Sequence, residues 1–434
     1  MPGPFQAAVL FLVATMSVAL SVGRAVPRVI VLRQGLTEVD RDAALSADGR
    51  FVAFVSTARL TSGDLNDIED VYVFDRQGNT VALETAGFDG MASNGRSRNP
   101  GLSADGRYLV FASDATNLTS APDTNRSMDV FVRDRHEAST RRISVGAGRH
   151  EANDTSADPA ISADARVVAF VSHATNLVAG SDANGTSTDI YLAWLETGDV
   201  ARISVGSDGR QPSRGHSFAP AISADGRVVA FTSTGRFDDV IAQGPGELRQ
   251  AVFARGLSSG TTICLSCRNG GRAFDPDVTA DGRFVVFTLA PDNASSRRRT
   301  HLVLVDRTSL VPSVLTEGGN GSSSRSKISA DGRFIVFQSE ASNLECDRRC
   351  QPGRADENLL SDIFVFDRER KAFTRASGDR QPWWAPSIAP HIDGKGDVIV
   401  FSSRQPLVPE DLASDFDLFI WHTCVIRPKS ECGA

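Results

Sequence analysis

Hydrophobic and polar residues alternate in short bursts along the whole chain, and the bursts repeat. A ten-residue phrase reads LSADGRFVAF from Leu45, LSADGRYLVF from Leu102, ISADARVVAF from Ile161 and ISADGRVVAF from Ile222. It continues as VTADGRFVVF from Val278 and ISADGRFIVF from Ile328, and an eroded seventh copy, IAPHIDGKGDVIVF, begins at Ile388. The mean spacing is about 57 residues, a period typical of propeller blades and solenoid units.

Each unit reads as four short strands. The first ends at Ser-Ala-Asp, and the following Asp-Gly predicts a tight hairpin with both residues at positive φ. The second alternates and ends on Phe in every copy: Phe54, Phe111, Phe170, Phe231, Phe287, Phe337 and Phe401, a series expected in the core. A third strand follows a longer loop, as in DVYVFDR (70–76), DVFVRDR (129–135) and DIFVFDR (362–368), and a fourth follows a short turn, as in TRRIS (140–144) and VARIS (200–204). Helix signals are nearly absent, because Gly, Pro, Asp and Ser interrupt the chain about every 8 to 12 residues. Four antiparallel strands in each of seven units predict an all-β chain forming a single seven-bladed β-propeller. The seventh unit has three strands, the third being DLFIW (417–421), while RVIVL (28–32) stands alone before the first unit. Pairing the two would close the ring and leave no open edge. The acids Asp48, Asp105, Asp164, Asp225, Asp281 and Asp331 read as turn formers. Arg50 and Arg107 are expected to cover strand edges or to pair with those acids.

The remaining features concern location and partners. Residues 4–23 form an apolar run followed by Arg24-Ala25-Val26-Pro27, so residues 1–25 read as a signal peptide or N-terminal anchor. The propeller then spans 26–423, with a tail at 424–434. No other stretch is apolar enough to span a membrane. The 434 residues carry 46 basic and 53 acidic side chains, a net charge of −7, which argues against nucleic acid as a partner. Six cysteines lie in close pairs, Cys264 with Cys267, Cys346 with Cys350, and Cys424 with Cys432. In an exported chain these predict three local disulfides. A four-thiolate zinc site from the first two pairs is the sharper alternative.

The S-A-D-G-R-x-V-x-F phrase, with D-[VI]-[FY]-V downstream, resembles the TolB-type, WD-repeat-like propellers of exported bacterial proteins over residues 28 to 423. The resemblance implies a propeller and a periplasmic or secreted location. TolB itself carries an α/β domain before six blades, whereas here a short segment precedes seven units. The expectation is therefore a propeller alone, and TolB's own partners do not transfer.

Long loops all fall on one face of the expected ring, where binding chemistry on a rigid scaffold is usually found. Several second-to-third loops carry acids and Asn ahead of the third strand. Asp182, Asn184 and Asp189, and likewise Asp123, Asn125 and Asp129, supply hard oxygens suited to calcium, although the same residues also cap turns. The loop D-L-N-D-I-E-D (64–70) has the same character. His150, His173 and His216 border blades three and four and are the candidates for a catalytic metal or acid–base chemistry. Trp383 and Trp384, beside Arg380, could stack on a sugar or a partner side chain. The leading expectation is an exported, monomeric, non-catalytic scaffold that engages a protein or glycan through the long-loop face, with calcium as the one cofactor the residues suggest. The alternative is a metal- or His-dependent carbohydrate-active lyase or hydrolase using the same face.

Overall fold

The structure is a computed structural model, and it describes residues 31–36, 43–237, 250–292, 299–345, 360–377, 386–404, 407 and 416–426. Seven four-stranded antiparallel sheets stand around a central channel. Their innermost strands are Ala43–Leu45, Ser97–Leu102, Ser156–Ile161, Ser217–Ile222, Arg272–Val278, Ser323–Ile328 and Ser387–Ile392, one each for blades one to seven. The outermost strand of blade seven comes from the start of the chain. Val31–Leu36 pairs antiparallel with Phe416–His422, with Val31 opposite Phe419 and Arg33 opposite Asp417. The ring closes as expected, through a strand that extends past the predicted 28–32.

The repeated phrase acquires a reason residue by residue. The Ser46 hydroxyl donates to Asp48 Oδ1 at 2.6 Å, and its oxygen accepts the Phe51 amide at 2.9 Å, which fixes the turn. Ala47 makes the ring. Its N–H donates to the Ala104 carbonyl of blade two, Ala104 donates to Ala163, and Ala163 to Ala224, at 2.9–3.0 Å. Asp225, Ala280 and Ala330 continue the relay to Gly394, and Lys395 returns it to Ala47 at 3.3 Å. Every blade is thus tied to the next by a backbone hydrogen bond between turns.

The expected turn geometry requires correction. Only the glycine has positive φ, +68° at Gly49 and +69° at Gly106, whereas the preceding Asp does not. Gly49 N–H bonds Ser46 C=O at 2.9 Å, so Ala47 and Asp48 form the turn and glycine takes the left-handed position after it. Glycine is also needed for space. A Cβ on Gly106 would meet the Phe51 ring of the neighbouring blade at 2.3 Å. Blade three uses Ala165 there, at φ +55°.

In blades one, two, five and six the arginine after the turn pairs with the end of the third strand and leaves the turn acid to Ser or Thr, whereas in blade three Arg166 pairs with the turn acid Asp164 at 3.2 Å. Arg50 meets Asp75 at 2.7 Å, Arg107 meets Asp134 at 2.6 Å and Arg283 meets Asp306 at 2.8 Å. The arginine that follows this Asp bonds the turn glycine carbonyl, as Arg135 does to Gly106 at 2.6 Å, while stacking on Phe51 of blade one. The Phe series is buried throughout. In six blades it stacks on a third-strand aromatic, Phe54 on Tyr72 and Phe170 on Tyr191 among them, with ring centres 5.7–5.9 Å apart. Clusters such as Phe54, Tyr72, Val400 and Leu418 bridge adjacent blades, here one and seven. Cys264 and Cys267 stand at disulfide geometry, Cα atoms 5.8 Å apart. Cys346, Cys350 and Cys432, and the 1–25 segment, lie outside the described residues. No helix among the described residues is long and apolar enough to cross a membrane.

If the N-terminal strand closes the ring, deleting residues 26–36 lowers the melting temperature by several degrees and broadens the transition. An unchanged melt would contradict closure.

Candidate functional site

Each innermost strand except the short one of blade one carries a β-bulge at mid-length, and the bulged residue has positive φ. These residues are Asn99, Asp158, Ala219, Asp275, Arg325 and Ala389, all at φ between 50° and 52°. The register shifts at the same points, between Arg98 and Gly101 in blade two and between Ala157 and Ala160 in blade three, for example. Proline follows the bulged residue in five of the six blades, with Ser326 in the sixth. Proline lacks the ladder N–H, so it is confined to sheet edges and bulges, and this strand is both. A bulge re-aims a side chain and is enriched beside functional sites. Here all six bulges line one cavity of about 350 Å³ in the central channel.

The channel lining carries both charges. Asp158 projects from blade three and Asp275 from blade five, while Arg325 and Lys327 come from blade six. Asp277 accepts the Ile328 amide at 2.8 Å and faces Lys327 Nζ at 3.6 Å, joining blades five and six. Burial raises the pKa of both Asp275 and Asp277; Arg325 and then Lys327 oppose it at Asp275, and Lys327 opposes it at Asp277. His391 of blade seven is held neutral. Burial first, and the Lys327 charge second, push it down to about 3. The X-Pro pairs at Pro100, Pro159, Pro220, Pro276 and Pro390, each three residues before the turn, were the sequence signal for this site; the loops and histidines drew attention away from it.

The expected site residues fall elsewhere. His173 and His216 meet edge to face with ring centres 6.5 Å apart. His173 Nδ1 donates to the Thr186 carbonyl at 2.8 Å, and His216 Nδ1 accepts the Thr188 amide at 3.1 Å. His150 makes no ring contact with either. Asp182 and Asp189 converge, but on Arg202, whose guanidinium lies 2.7 Å and 3.3 Å from them; Asn184 donates to the Gly215 carbonyl at 3.1 Å. Asp123, Asp129 and Glu151 offer carboxylate oxygens within 4.8 Å of one another, the spacing of a three-ligand metal site among the described residues. Arg142 also reaches into it, contacting Glu151 and lying 3.1 Å from Asp129. Asn125 donates to the Ala152 carbonyl at 2.6 Å. Trp383, Trp384 and Arg380 lie outside the described residues.

No family model matches the chain, and no curated protein matches it in sequence. Solved structures do. Oligogalacturonate lyase from Vibrio parahaemolyticus superposes with a TM-score of 0.55 at 12% identity, covering 94% of this chain and 99% of that one. The β-propeller domain of the trilobed protease from Pyrococcus furiosus, a ring of open velcro topology, gives 0.53 at 14% identity over 88% and 92%. TolB from Acinetobacter baumannii gives 0.40 at 15% identity over 88% and 85%. These likenesses bear on the fold alone, which is that of a seven-bladed β-propeller.

The depressed His391 pKa has a pH consequence. Its unfolded form protonates near pH 6.5 while the folded form stays neutral down to about 3, so stability falls as pH drops through that window. Relative to His391→Gln, the wild type should lose up to about 3 kcal/mol between pH 7 and pH 4 in chemical denaturation. Parallel pH profiles for the two proteins would contradict a neutral, buried imidazole.

Proposed function

We propose that the protein is an exported, non-catalytic binding scaffold that holds part of a protein or glycan partner at the mouth of its central channel, with the long-loop face as the surrounding platform. The observation that carries this reading is the ring of bulges lining one cavity, with Asp158 and Asp275 set against Arg325 and Lys327. Such a site suits a ligand that carries hydrogen-bonding groups of both polarities. A rigid ring gives it a preformed geometry, which limits the ordering cost of binding.

Catalysis needs a nucleophile or an acid–base pair within reach of a bound substrate. Two of the channel's candidates are engaged by neighbours: Asp277 is tied to Lys327, and His391 Nδ1 lies 3.3 Å from its neighbour Ala389's carbonyl, while Asp158 and Asp275 serve here as binding groups. The one observation on the enzyme side is the His173–His216 pair on the long-loop face.

The test is quantitative capture of envelope proteins and glycans by the mature chain, with Arg325→Glu as the channel variant and Arg166→Glu, on the opposite turn face, as the control. Reversing the channel charge should weaken capture at least about tenfold, or about 1.4 kcal/mol, and the control should leave it intact. Capture indifferent to Arg325→Glu would contradict the channel reading. Conversion of a captured glycan, lost in His173→Ala, would favour the enzyme.

A further inference from the structure

Blades one, two, three and six start their third strand with a buried aspartate: Asp70, Asp129, Asp189 and Asp362. One oxygen of each accepts a hydroxyl from the end of the fourth strand, at 2.6–2.7 Å from Thr85, Ser144, Ser204 and Ser377. In three of these blades the other oxygen faces a guanidinium from the same fourth strand. Arg142 lies 3.1 Å from Asp129 Oδ2, Arg202 lies 3.3 Å from Asp189 Oδ2, and Arg375 lies 3.5 Å from Asp362 Oδ2. A second acid meets each arginine from a neighbouring loop: Glu151, Asp182 and Glu345. The cluster is a recurring cage in which two carboxylates share one cation.

Blade one has the acids without the cation. Asp64 and Asp70 occupy the positions of Asp182 and Asp189, and both are buried, 3% and 1% exposed. The arginine position is Leu83. Asp70 Oδ2 is buried without a short hydrogen bond, as are the matching oxygens of Asp129, Asp189 and Asp362, but those three face a guanidinium whereas Asp70, among the described residues, has only the Asn66 amide near it. Tyrosine marks the difference. In blade three the Tyr191 hydroxyl accepts from Arg202 at 2.8 Å, whereas in blade one the Tyr72 hydroxyl donates directly to Asp64. Burial, opposed by the Thr85 bond and reinforced by the Asp64 charge, pushes Asp70 up to about 6.

We propose that blade one binds a calcium-type divalent cation between Asp64 and Asp70, in the position that a guanidinium fills in blades two, three and six. The donors are two carboxylates with the Tyr72 hydroxyl beside them. Hard oxygens without nitrogen or sulfur select a hard cation, and calcium, which tolerates irregular geometry and fills its remaining positions with carbonyls and water, fits such a partial set better than magnesium. The other acid group, Asp123, Asp129 and Glu151, already contains Arg142, so it has less need of an external charge.

The test is calcium titration of the chelator-stripped mature protein by calorimetry, with metal content measured after dialysis against calcium chloride. Wild type should retain one calcium ion and melt at higher temperature with it. Asp70→Asn should weaken binding at least tenfold. Leu83→Arg should do the same without lowering the calcium-free melt, because it supplies the missing guanidinium. Asp123→Asn should bind as wild type does. The proposal is overturned if stripped wild type takes up no calcium, if Asp70→Asn or a folded Leu83→Arg binds it undiminished, or if only Asp123→Asn loses it. Should Leu83→Arg fail to fold, the near-isosteric Asp70→Asn decides alone.

Discussion

The relay of backbone hydrogen bonds between the Ser-Ala-Asp-Gly turns is the constraint on which the rest of this structure depends. A propeller blade buries both faces only against its neighbours, so each must sit at a fixed distance and rotation from the next. Here the distance is set where alanine donates to the alanine carbonyl of the adjoining turn. The glycine beside it lets the turn lie directly on the neighbouring Phe51 ring. Arg135 then covers the same ring from above while holding the glycine carbonyl. Seven such joints close on themselves, and the N-terminal strand completes the last sheet.

With the outer parts of each blade fixed in this way, the inner strands have freedom to differ. Their bulges share a backbone conformation, but the side chains they carry run from Asn and Asp to Ala and Arg. The fold therefore repeats its architecture and varies the lining of its channel. The acid cages at the heads of the third strands follow the same logic. Three neutralise themselves with arginine, and blade one departs from the pattern at Leu83.

The fold was legible because the turn imposes nearly the same residues on six of the seven copies. Serine, alanine, aspartate and glycine each answer a separate demand there, so the phrase survives with single changes at Ala165 and Thr279, erodes only in the seventh copy, and marks the period. The buried Phe series was legible for the same reason. The turn's φ pattern was misread because Asp-Gly is the usual signature of a two-residue hairpin, whereas here the turn begins one residue earlier. The channel was not legible as a site: Asn99-Pro100 and Asp158-Pro159 look like loop punctuation, and only the strand pairing shows that they are bulges on an inner edge. The calcium candidates at Asp182 and Asp189 could not be separated from ion-pair partners by sequence, because Arg202 sits in another strand.

The central claim is that a partner is held in the channel. A structure of the mature chain bound to its captured partner tests it most directly. The account predicts ordered partner density in the cavity, with polar groups within hydrogen-bond distance of Arg325 and of Asp158 or Asp275. A partner seated entirely on the outer blade edges, with the channel holding only solvent, would contradict it.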